Sequence, residues 1–460
     1  MELLSPAGNL EKLKIVYQYG ADAAYIGIND FSLRLKADNF YDSDYLAMEK
    51  IKGDKKLYGA FNIYFHNKDI ARLNDELDII ASYPLDGFII SDIGVLPTLK
   101  KRFPDKEFHL STQANCINKE AAKLYYNMGF NRVILGRECS LNEIKEIKDY
   151  QPELELETFV HGAMCLAYSG RCFLSKYMAN RSANQGDCSH TCRWKYNLKL
   201  SSSEKIKELA QSGELVIEEE LRPNHHFPIY EGENFTTILS SKDLCLIDHL
   251  EQLKAAGIDS FKIEGRMKSL YYAAVITRSY KKALDKLEGK IDPDYDSYRE
   301  ELFKVSHREF TTGFFFNDES VHSTTKISYL RKHIFVGDIC EVQEEKSSWF
   351  KAKINLKNQI KENDKIEIIG PNILFEKLQE FYLTDENGSK IPKADHGKIC
   401  YIYFKCKSIP SDGFLLRRAI YENEKPENIL PAASENCECQ LNGENFSNLC
   451  KKGLENLWEK

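Results

Sequence analysis

The sequence predicts an α/β protein: a TIM-like (β/α)8 barrel, with a cysteine-rich insertion before the last strand and a small C-terminal antiparallel β-barrel. Short β-rich runs alternate with helical segments, and most of these runs are apolar with little polar alternation. Parallel strands that are buried on both faces have this composition. Eight strand–helix units in about 250 residues outside the insertion favour a closed barrel. A doubly wound open sheet is the alternative arrangement of the same units.

The predicted barrel strands are residues 2–5, 23–27, 57–62, 87–92, 108–113, 132–138, 154–161 and 260–265. Amphipathic stretches between them predict helices, among them residues 70–81, 119–128 and 142–149. The last helices of the barrel are expected at residues 271–287 and 295–304. Farther along the chain, turn signals such as the stretch from Asp385 to Gly388 separate short β-rich runs. That pattern is typical of a small antiparallel barrel.

These elements divide the chain into five expected segments. They are residues 1–164 with the first seven strand–helix units, 165–240 with the insertion, 241–335 with the last strand and closing helices, 336–420 with the small β-barrel, and 421–460 as a tail. In a TIM barrel, an insertion after the seventh strand leaves from the carboxyl ends of the strands, where active sites are built. The insertion is therefore expected to carry functional residues.

Composition limits the compartment and the partners. The 460 residues carry a formal net charge of −7, which opposes general electrostatic binding of nucleic acid but averages over local patches. No run of about eighteen apolar residues occurs, so neither a transmembrane helix nor a membrane partner is expected. The first residues, from Met1 to Gly8, lack the basic region and the long apolar segment of a signal peptide. We therefore expect a cytoplasmic protein.

Five cysteines lie in or near the insertion: Cys165, Cys172, Cys188, Cys192 and Cys245. The chain has thirteen cysteines, an odd number, and a reducing compartment favours a metal centre over a disulfide framework. Dispersed thiols, with one from a distant segment, suit an iron–sulfur cluster. Structural zinc usually draws on closely spaced pairs, of which Cys188 and Cys192 are one. A zinc site and ordinary buried thiols stay open as alternatives.

Basic and aromatic side chains are interleaved in the insertion. Between residues 165 and 200, six basic side chains face one acidic side chain, Asp187. Arg193, Trp194 and Lys195 are adjacent members of this pattern. Basic groups neutralise phosphates and aromatic rings stack on unpaired bases, so these residues are candidates for nucleic-acid binding. The alternative is a solvated loop that balances a negatively charged cluster.

Polar side chains gather where the predicted strands end: Asn62, Asp92, Gln113, Asn115, Arg137, Glu138, His161, Glu264 and Arg266. Polar groups just after buried strands are costly without a partner, which makes them candidates for a site. Arg137 and Arg266 each offer a fork that fits a carboxylate, so a small dicarboxylate is a candidate ligand. The alternative is an Arg–Glu network, Arg137 with Glu138 or Arg266 with Glu264. His161 is a candidate acid–base group, a donor to a thiolate, or a structural residue.

The stretch from Glu157 to Ser175 combines a Glu-x-Phe-x-x-Gly-Ala-Met-Cys block with a Gly-x-Cys-x-Leu-Ser block. Further blocks are residues 2–8, 111–115, 188–196, 240–245, 261–268, 305–308 and 311–314. Together these blocks closely resemble the collagenase-like peptidase family, whose catalytic mechanism as peptidases is unknown. The resemblance extends over residues 1–316. So many spaced blocks make it specific.

The resemblance implies a function other than the one in the family's name. Its well-understood members are RNA hydroxylation proteins, and this chain looks most like the branch that makes 5-hydroxyuridine at the tRNA wobble position. A sister branch makes 5-hydroxycytidine in 23S ribosomal RNA, and another pair hydroxylates the ubiquinone ring without molecular oxygen. Members carry a 4Fe–4S cluster, and the RNA branches depend on prephenate, a dicarboxylate. The implied activity is therefore iron–sulfur-dependent hydroxylation in the tRNA anticodon region, without molecular oxygen.

By position, the resemblance implies the cluster ligands Cys165, Cys172, Cys188 and Cys245, with Cys192 as an alternative. The C-terminal segment is similar to the small β-barrel of translation factors, which would suit RNA docking. Fold similarity of that kind is weak support for function.

The resemblance also suggests roles for the residues at the strand ends. Arg137 and Arg266 would hold the prephenate-like donor, His161 would move a proton, and Glu264 is a further catalytic candidate. The residues expected to bind the RNA substrate are Asn62, Gln113, Asn115, Arg193, Trp194 and Lys195. The wobble base is unpaired or easily splayed, so it would enter a pocket at the barrel top.

Two other functions stay open. One is a peptidase, which would act without a cluster. The chain has neither the His-Glu-x-x-His helix of zinc peptidases nor the Gly-x-Ser-x-Gly elbow of serine hydrolases. P-loop and dinucleotide-binding motifs are absent as well. A non-catalytic RNA-binding or assembly factor would work with a protein partner or a paralogue, and it would bind tRNA with a steep salt dependence.

Overall fold

The computed structural model describes residues 1–28, 31–33, 40, 44–165, 167–179, 181–185, 187–193, 216–218, 226–228, 230–231, 236–237, 241–290, 292–316 and 330–420. Trp194, Lys195 and the predicted tail lie outside the described residues. Arg193 is described only as the end of a short helical turn, Thr191–Arg193. Among the helices in these ranges, none has the length and apolar character that a membrane span requires.

The strands of the N-terminal part are, in chain order, β1 (Glu2–Pro6), β2 (Ala23–Gly27), β3 (Lys56–Phe61), β4 (Gly87–Ile90), β5 (Glu107–Leu110), β6 (Arg132–Ile134), β7 (Glu155–Ala163), β8 (Val216–Glu218), β9 (His226–Pro228), β10 (Tyr230–Glu231), β11 (Thr236–Thr237), β12 (Asp243–Cys245), β13 (Ser260–Ile263) and β14 (Phe310–Thr311). Strands β1 to β7 pair in parallel in sequence order, and β13 pairs in parallel with both β7 and β1. Eight strands therefore close a barrel. This closure confirms the predicted TIM-like fold and excludes the open sheet.

The helices are α1 (Leu10–Gln18), α2 (Tyr45–Lys52), α3 (Asn67–Ser82), α4 (Leu96–Arg102), α5 (Lys119–Met128), α6 (Leu141–Tyr150), α7 (Leu174–Ala179), α8 (Leu250–Ala255), α9 (Leu270–Leu287) and α10 (Tyr295–Glu300). Four of them begin at a side-chain cap that accepts a backbone hydrogen bond from the first turn: Asn9, Asn118, Ser140 and Ser269. The predicted helices at 70–81, 119–128, 142–149 and 271–287 correspond to α3, α5, α6 and α9. The helix predicted at 295–304 is shorter in the structure, because α10 ends at Glu300 and the chain continues as the tighter turn Glu301–Phe303.

Four predicted strands are longer than the strands that form. β4, β5, β6 and β13 end at Ile90, Leu110, Ile134 and Ile263. Asp92 Oδ1 accepts a hydrogen bond from the backbone N–H of Gly94 at 2.9 Å, and Ser111 Oγ accepts one from that of Gln113 at 3.3 Å. Each of these side chains starts a short helical turn, which competes with the strand ladder. The polar ends of the predicted runs therefore form loops at the barrel rim.

The strands of the C-terminal part are β15 (His333–Glu344), β16 (Trp349–Leu356), β17 (Ile360–Lys361), β18 (Ile366–Ile369), β19 (Glu376–Lys377), β20 (Phe381–Thr384), β21 (Lys390–Ile391), β22 (Lys393–Ala394), β23 (Cys400–Lys405) and β24 (Leu415–Ala419). Eight of them form one curled antiparallel sheet, in the order β19-β18-β24-β15-β16-β23-β20-β21. Buried and half-buried side chains alternate along β16 and β23, as expected when one face covers a core. The small antiparallel β-structure predicted from the sequence is thus confirmed.

A buried ion network joins this sheet to the barrel. Arg417 on β24 donates to Glu301 at 3.0 Å and to Glu367 on β18 at 2.9 Å. Arg278 on α9 donates to two carbonyl oxygens of the C-terminal part, both at 2.6 Å. The side chains of Arg278, Arg417 and Glu301 are almost completely buried. Because a buried charge without a partner costs several kcal/mol, the network favours one orientation of the sheet on the barrel.

Glu367 gives this interface a dependence on pH. Burial opposes its ionisation, but a hydrogen bond from His333 and the charge of Arg417 prevail and hold its pKa at about 2, below the ordinary 4.5. A carboxylate with a lowered folded-state pKa stabilises the fold fully above its unfolded pKa, and this contribution is lost as the pH falls towards 2.

We therefore expect the free energy of unfolding to fall between about pH 5 and pH 3 by roughly 1–3 kcal/mol more in the natural chain than in a Glu367→Gln variant. Urea unfolding at the two pH values measures both differences. Equal losses in the two proteins would show that Glu367 does not supply this pH dependence.

Candidate active site

An arginine–carboxylate pair lies at the carboxyl end of the barrel. Arg137 follows β6, Glu264 follows β13, and Arg137 Nη2 donates to Glu264 Oε2 at 3.3 Å. The guanidinium carbon of Arg137 lies 3.9 Å from the centroid of the Phe159 ring on β7. The Arg137 and Glu264 side chains are 11% and 20% exposed. The guanidinium is therefore held between a ring and a carboxylate, and part of the pair stays open to a ligand.

Glu138, the partner of Arg137 in the alternative Arg–Glu network, joins two loops instead. Its Oε1 accepts a hydrogen bond from the backbone N–H of Ser169 at 2.6 Å, and its Oε2 accepts one from Asn115 Nδ2 at 3.2 Å. The backbone N–H of Arg137 in turn donates to Ser169 Oγ at 3.4 Å. Arg137 and Glu138 lie in a turn after β6, and their side chains have different partners. The structure pairs Arg137 with Glu264, which lies beyond the neighbouring strand β7.

The start of the insertion lies over the barrel rim. The hydroxyl of Tyr64, just after β3, donates to the carbonyl oxygen of Gly170. A side chain at Gly170 would clash with the carbonyl oxygen of Gln113, and its φ of +73° is in the left-handed region that favours glycine. The chain around Gly170 is therefore held against the loops that follow β3 and β5.

Asn62 and Asn115 shape the loops of the rim. Asn62 Oδ1 accepts a hydrogen bond from the backbone N–H of Leu33 at 2.9 Å. Asn115 has φ 55° and ψ 48°, in the left-handed region that asparagine enters more readily than most residues. Both side chains thus have structural partners. A contact of Asn62, Asn115 or the half-buried Gln113 with a substrate stays a prediction.

Arg266 lies on the same rim and reaches towards β2. Arg266 is 5% exposed, and its Nη1 donates a hydrogen bond to Ser32 Oγ at 3.1 Å. A side chain on Gly27, at the end of β2, would occupy the position of this guanidinium nitrogen. The glycine therefore makes room for Arg266. The two arginines proposed to hold one dicarboxylate are thus positioned by different strands, Arg137 beside Glu264 and Arg266 beside β2.

His161 on β7 is buried beneath the rim. The rings of Tyr272, Tyr280 and Phe310 surround it at centroid distances of 5.4–6.0 Å. Its Nδ1 lies 3.3 Å from the Tyr280 hydroxyl. Burial lowers the pKa of the imidazole to about 3, so the ring is neutral near pH 7. Of the roles considered for His161, this environment favours the structural one, and the acid–base role stays a prediction.

Cys245 lies beside His161. Strand β12 runs antiparallel to β7 outside the barrel, and this pairing puts the two residues opposite each other. The Tyr280 hydroxyl lies 3.9 Å from Cys245 Sγ and donates to the carbonyl oxygen of Val160 at 2.7 Å. Burial raises the pKa of the Cys245 thiol to about 11. As a metal ligand, this thiol would release its proton on binding.

Asp243 and Arg308 hold β12 in this position, and neither was singled out from the sequence as a site residue. Arg308 Nη2 donates to Asp243 Oδ1 at 2.7 Å, and Arg308 Nη1 donates to Ser241 Oγ at 3.0 Å. The Ser241 hydroxyl donates to the carbonyl oxygen of Met164 at 2.7 Å. These bonds position the backbone just before the proposed ligand Cys245. The only signal in the sequence was their place inside two of the blocks described above.

The other candidate ligands lie on the insertion: Cys165 is exposed, and Cys172, Cys188 and Cys192 are partly exposed. Asn184 Nδ2 donates to the carbonyl oxygen of Cys172 at 3.2 Å. The backbone N–H of Ser189 donates to Ser175 Oγ at 3.0 Å. The stretches that carry Cys172 and Cys188 are therefore tied to each other.

These thiols suit an iron–sulfur cluster in chemistry but not in placement. The described cysteines are free thiols, and thiolates are the ligands that such clusters use. Within the part of the chain that the structure describes, no three His, Cys, Asp or Glu side chains are placed to hold a metal ion together. The assignment of Cys165, Cys172, Cys188 and Cys245 as ligands stays a prediction.

A charged network fills the barrel below the rim, and it was not expected from the sequence. Glu157 on β7 accepts hydrogen bonds from Lys262 Nζ at 2.8 Å and from Arg132 Nη1 at 3.1 Å, and all three residues are buried. The ring of Phe159 lies 5.6 Å from Lys262 Nζ and, as described, also contacts Arg137. Ionisable residues inside otherwise apolar strands were the available signal. The network supports the Arg137–Glu264 pair from below.

Comparison with known proteins identifies the family. A sequence model of Peptidase family U32 matches residues 8–325, and the model of its C-terminal domain matches residues 331–417. The tRNA hydroxylation protein P of Escherichia coli is 36% identical over 396 residues, which are 80% of this chain and 86% of that protein. The tRNA hydroxylation protein P1 of Bacillus subtilis is 34% identical over 403 residues, which are 86% and 89% of the two chains. A Collagenase of Porphyromonas gingivalis is 28% identical over 434 residues, or 89% and 96%. The chain therefore belongs to peptidase family U32.

Proposed function

We propose that this chain is an enzyme that hydroxylates tRNA. The observation that carries the proposal is its similarity, over 80% and 86% of its length, to two proteins named for tRNA hydroxylation. The rim of the barrel agrees with this activity, because the partly open Arg137–Glu264 pair lies where TIM-barrel enzymes carry their reacting groups.

Within this activity, we infer that the product is 5-hydroxyuridine at the wobble position of the anticodon. The reaction is an oxygen-atom transfer: the donor loses one oxygen and is reduced by two electrons, and the C–H bond at uracil carbon 5 becomes C–OH. The proposed donor derives from prephenate, so molecular oxygen is not needed. An anticodon base is easily splayed out of its stack, which lets it reach a pocket at the barrel rim.

The proposed roles of the residues follow from their positions. Arg137 binds one carboxylate of the donor with the part of its fork that Glu264 leaves open, and Glu264 orients it. Arg266, held beside β2, binds a second carboxylate. His161 positions Cys245 through the Tyr280 hydroxyl. Arg193, Trp194 and Lys195 are proposed to contact the RNA.

We further propose a 4Fe–4S cluster on Cys165, Cys172, Cys188 and Cys245, with Cys192 as the alternative fourth ligand. Its support is the number of free thiols around one end of the barrel and the ties between the stretches that carry Cys172 and Cys188. Binding would require the segments that bear the thiols to close on one another.

The experiment that tests the function is nucleoside mass spectrometry of total tRNA and 23S ribosomal RNA, from cells with and without the gene. We expect loss of 5-hydroxyuridine and its further-modified forms from tRNA alone, with recovery when the gene is restored. Loss of 5-hydroxycytidine from ribosomal RNA instead would show that the substrate is ribosomal RNA and not tRNA. Unchanged nucleosides, in a strain that also lacks any paralogue, would overturn the proposal.

The donor has its own test in the same measurement. A strain that cannot make prephenate is expected to lose the same tRNA nucleoside although the gene is present, because the oxygen donor derives from prephenate. Retention of the nucleoside would remove prephenate from the proposal and leave tRNA hydroxylation in place.

A peptidase is the second candidate, because a relative named Collagenase matches 89% of the chain. A thiol peptidase needs a base that reaches its nucleophile. His161 precedes the exposed Cys165 closely in sequence, but it is buried and contacts the Tyr280 hydroxyl. Hydrolysis of gelatin by the purified chain, abolished by a Cys165→Ala change, would favour the peptidase.

A further inference from the structure

Aromatic and lysine side chains alternate on the outer side of the C-terminal sheet. We call this surface the aromatic–lysine face, and it consists of Trp349, Lys351, Tyr382, Lys390, Tyr403 and Lys405. Lys390 is exposed and the other five residues are partly exposed. None of them belongs to the barrel rim described above, and the proposed reaction does not use them.

Strand register places these side chains on one surface. Trp349 on β16 lies opposite Lys405 on β23, and Lys351 lies opposite Tyr403. Tyr403 also lies opposite Tyr382 on the next strand, β20. The residues between them along β16 and β23 are buried in the core of the sheet. Because side chains alternate between the two faces of a strand, the aromatic–lysine face is turned away from that core.

The rings form a platform with ammonium groups beside it. Tyr382 and Tyr403 are stacked, with 4.7 Å between their ring centroids and 5° between their planes. Trp349 lies 5.5 Å from Tyr382. The ammonium of Lys390 lies 4.4 Å from the Tyr382 centroid, and that of Lys351 lies 5.6 Å from the Tyr403 centroid. Rigid rings and cations therefore occupy one continuous surface.

The charge of this face is only partly balanced by the protein. Lys405 Nζ pairs with Glu380 at 2.7 Å. Among the described residues, by contrast, no carboxylate lies within ion-pair distance of Lys351 or Lys390. Two cations beside a stack of rings thus lack a fixed counter-charge in the part of the chain that the structure shows. A partner that combines flat rings with negative charges matches this surface.

We propose that the aromatic–lysine face binds single-stranded RNA. Every base has a flat surface that stacks on Tyr or Trp, and the phosphates between bases supply the charges that Lys351 and Lys390 lack. Resting on the proposed function, the occupant is an unpaired stretch of the same tRNA, away from the base that is modified. A second contact on one RNA raises the effective concentration of the target base at the barrel rim.

The test compares three variants of the full chain. Tyr382→Ala removes the central ring, and Lys351→Glu reverses a charge beside the platform. Lys361→Glu makes the same charge change on the separate β17–β22 ladder and serves as the matched control. Fluorescence anisotropy with a labelled oligouridine and with total tRNA gives the dissociation constants at about 50 and 200 mM salt, and thermal unfolding verifies that each variant is folded.

We expect Tyr382→Ala to weaken binding of both RNAs by roughly 5- to 100-fold, the range that stacking of one base supplies. Lys351→Glu is expected to weaken binding and to reduce the salt slope by about one, because one phosphate contact is lost. Lys361→Glu should bind both RNAs with dissociation constants within about twofold of those of the natural chain. A small difference is expected at low salt, where distant charges are less screened.

If Tyr382→Ala does not fold, Lys351→Glu decides alone, since its side chain lies on the surface. Natural affinity and an unchanged salt slope in Lys351→Glu, or equal losses in it and in Lys361→Glu, would overturn the proposal. The measurement needs neither turnover nor a cofactor. Failure of tRNA hydroxylation in the nucleoside experiment therefore leaves this result interpretable, and the two proposals can fail separately.

Discussion

Replacing Arg132 with methionine is expected to destabilise the protein by about 3–5 kcal/mol, because the buried carboxylate of Glu157 loses a partner. Arg132 is 5% exposed. Its guanidinium lies 2.5 Å from Glu2, 2.7 Å from Glu155 and 3.1 Å from Glu157. The Glu157 side chain is fully buried, so among the residues that the structure describes only Lys262 would remain paired with it. Methionine fills a similar volume, and the expected loss is therefore one of charge compensation.

Arg102→Met is the matched control for this change. Arg102 also pairs with a carboxylate, Asp78, at 3.0 Å, but its side chain is 43% exposed and that of Asp78 is 94% exposed. Exposed pairs contribute up to about 1 kcal/mol. Urea unfolding of the natural chain and both variants measures the two losses. Similar losses for Arg132→Met and Arg102→Met would contradict a stabilising role of the network inside the barrel.

Replacing Cys172 with alanine is expected to abolish tRNA hydroxylation together with iron binding. Removing a residue that hydrogen-bonds to a metal ligand lowers metal affinity or activity by about 10- to 100-fold. We expect a larger loss of both here, because the ligand itself is removed. Cys172 is partly exposed, and its carbonyl oxygen keeps its hydrogen bond from Asn184 when the side chain is shortened. The change should therefore leave the local backbone in place.

The control for this variant is Cys340→Ala, a partly exposed thiol on β15 of the C-terminal sheet. Iron content of the purified chains, and nucleoside analysis of a deletion strain that carries each variant, give the two readouts. We expect the control to match the natural chain in both. Full iron and full hydroxylation in Cys172→Ala would sink the cluster assignment. Full iron without hydroxylation would keep the proposed function and remove Cys172 from the ligands.

Much of the fold was predictable because its signals are local. The apolar runs of β1 to β7 and β13 reflect strands buried on both faces, a property that each short segment shows by itself. The start of α9 after Ser269 follows from a side-chain cap and an amphipathic period. The exact ends of β4 and β5 did not follow, because single side-chain hydrogen bonds, at Asp92 and Ser111, start helical turns directly after these strands.

The site was predictable in its residues and not in their partners. The strand-end pattern drew attention to Arg137, Glu264 and His161, and all three lie at or just below the barrel rim. Arg137 follows β6 and Glu264 follows β13, with β7 between these strands, and the two residues are 127 residues apart in the chain, so no pattern along the chain specifies the pairing. The low pKa of His161 likewise results from burial among rings that come from distant helices and strands.

By itself, therefore, the sequence determined the alternation of strands and helices, the family, and the residue types available at the rim. Only the tertiary structure decided that Arg132 lies among three carboxylates, that β12 brings Cys245 beside His161, and that the rings of the C-terminal sheet stack on one face. The physical reason is how far apart in the chain the interacting residues lie. Backbone conformation and burial period are set by neighbours within a few residues, whereas ion pairs, pKa values and stacked surfaces depend on distances between segments that meet only in the folded chain.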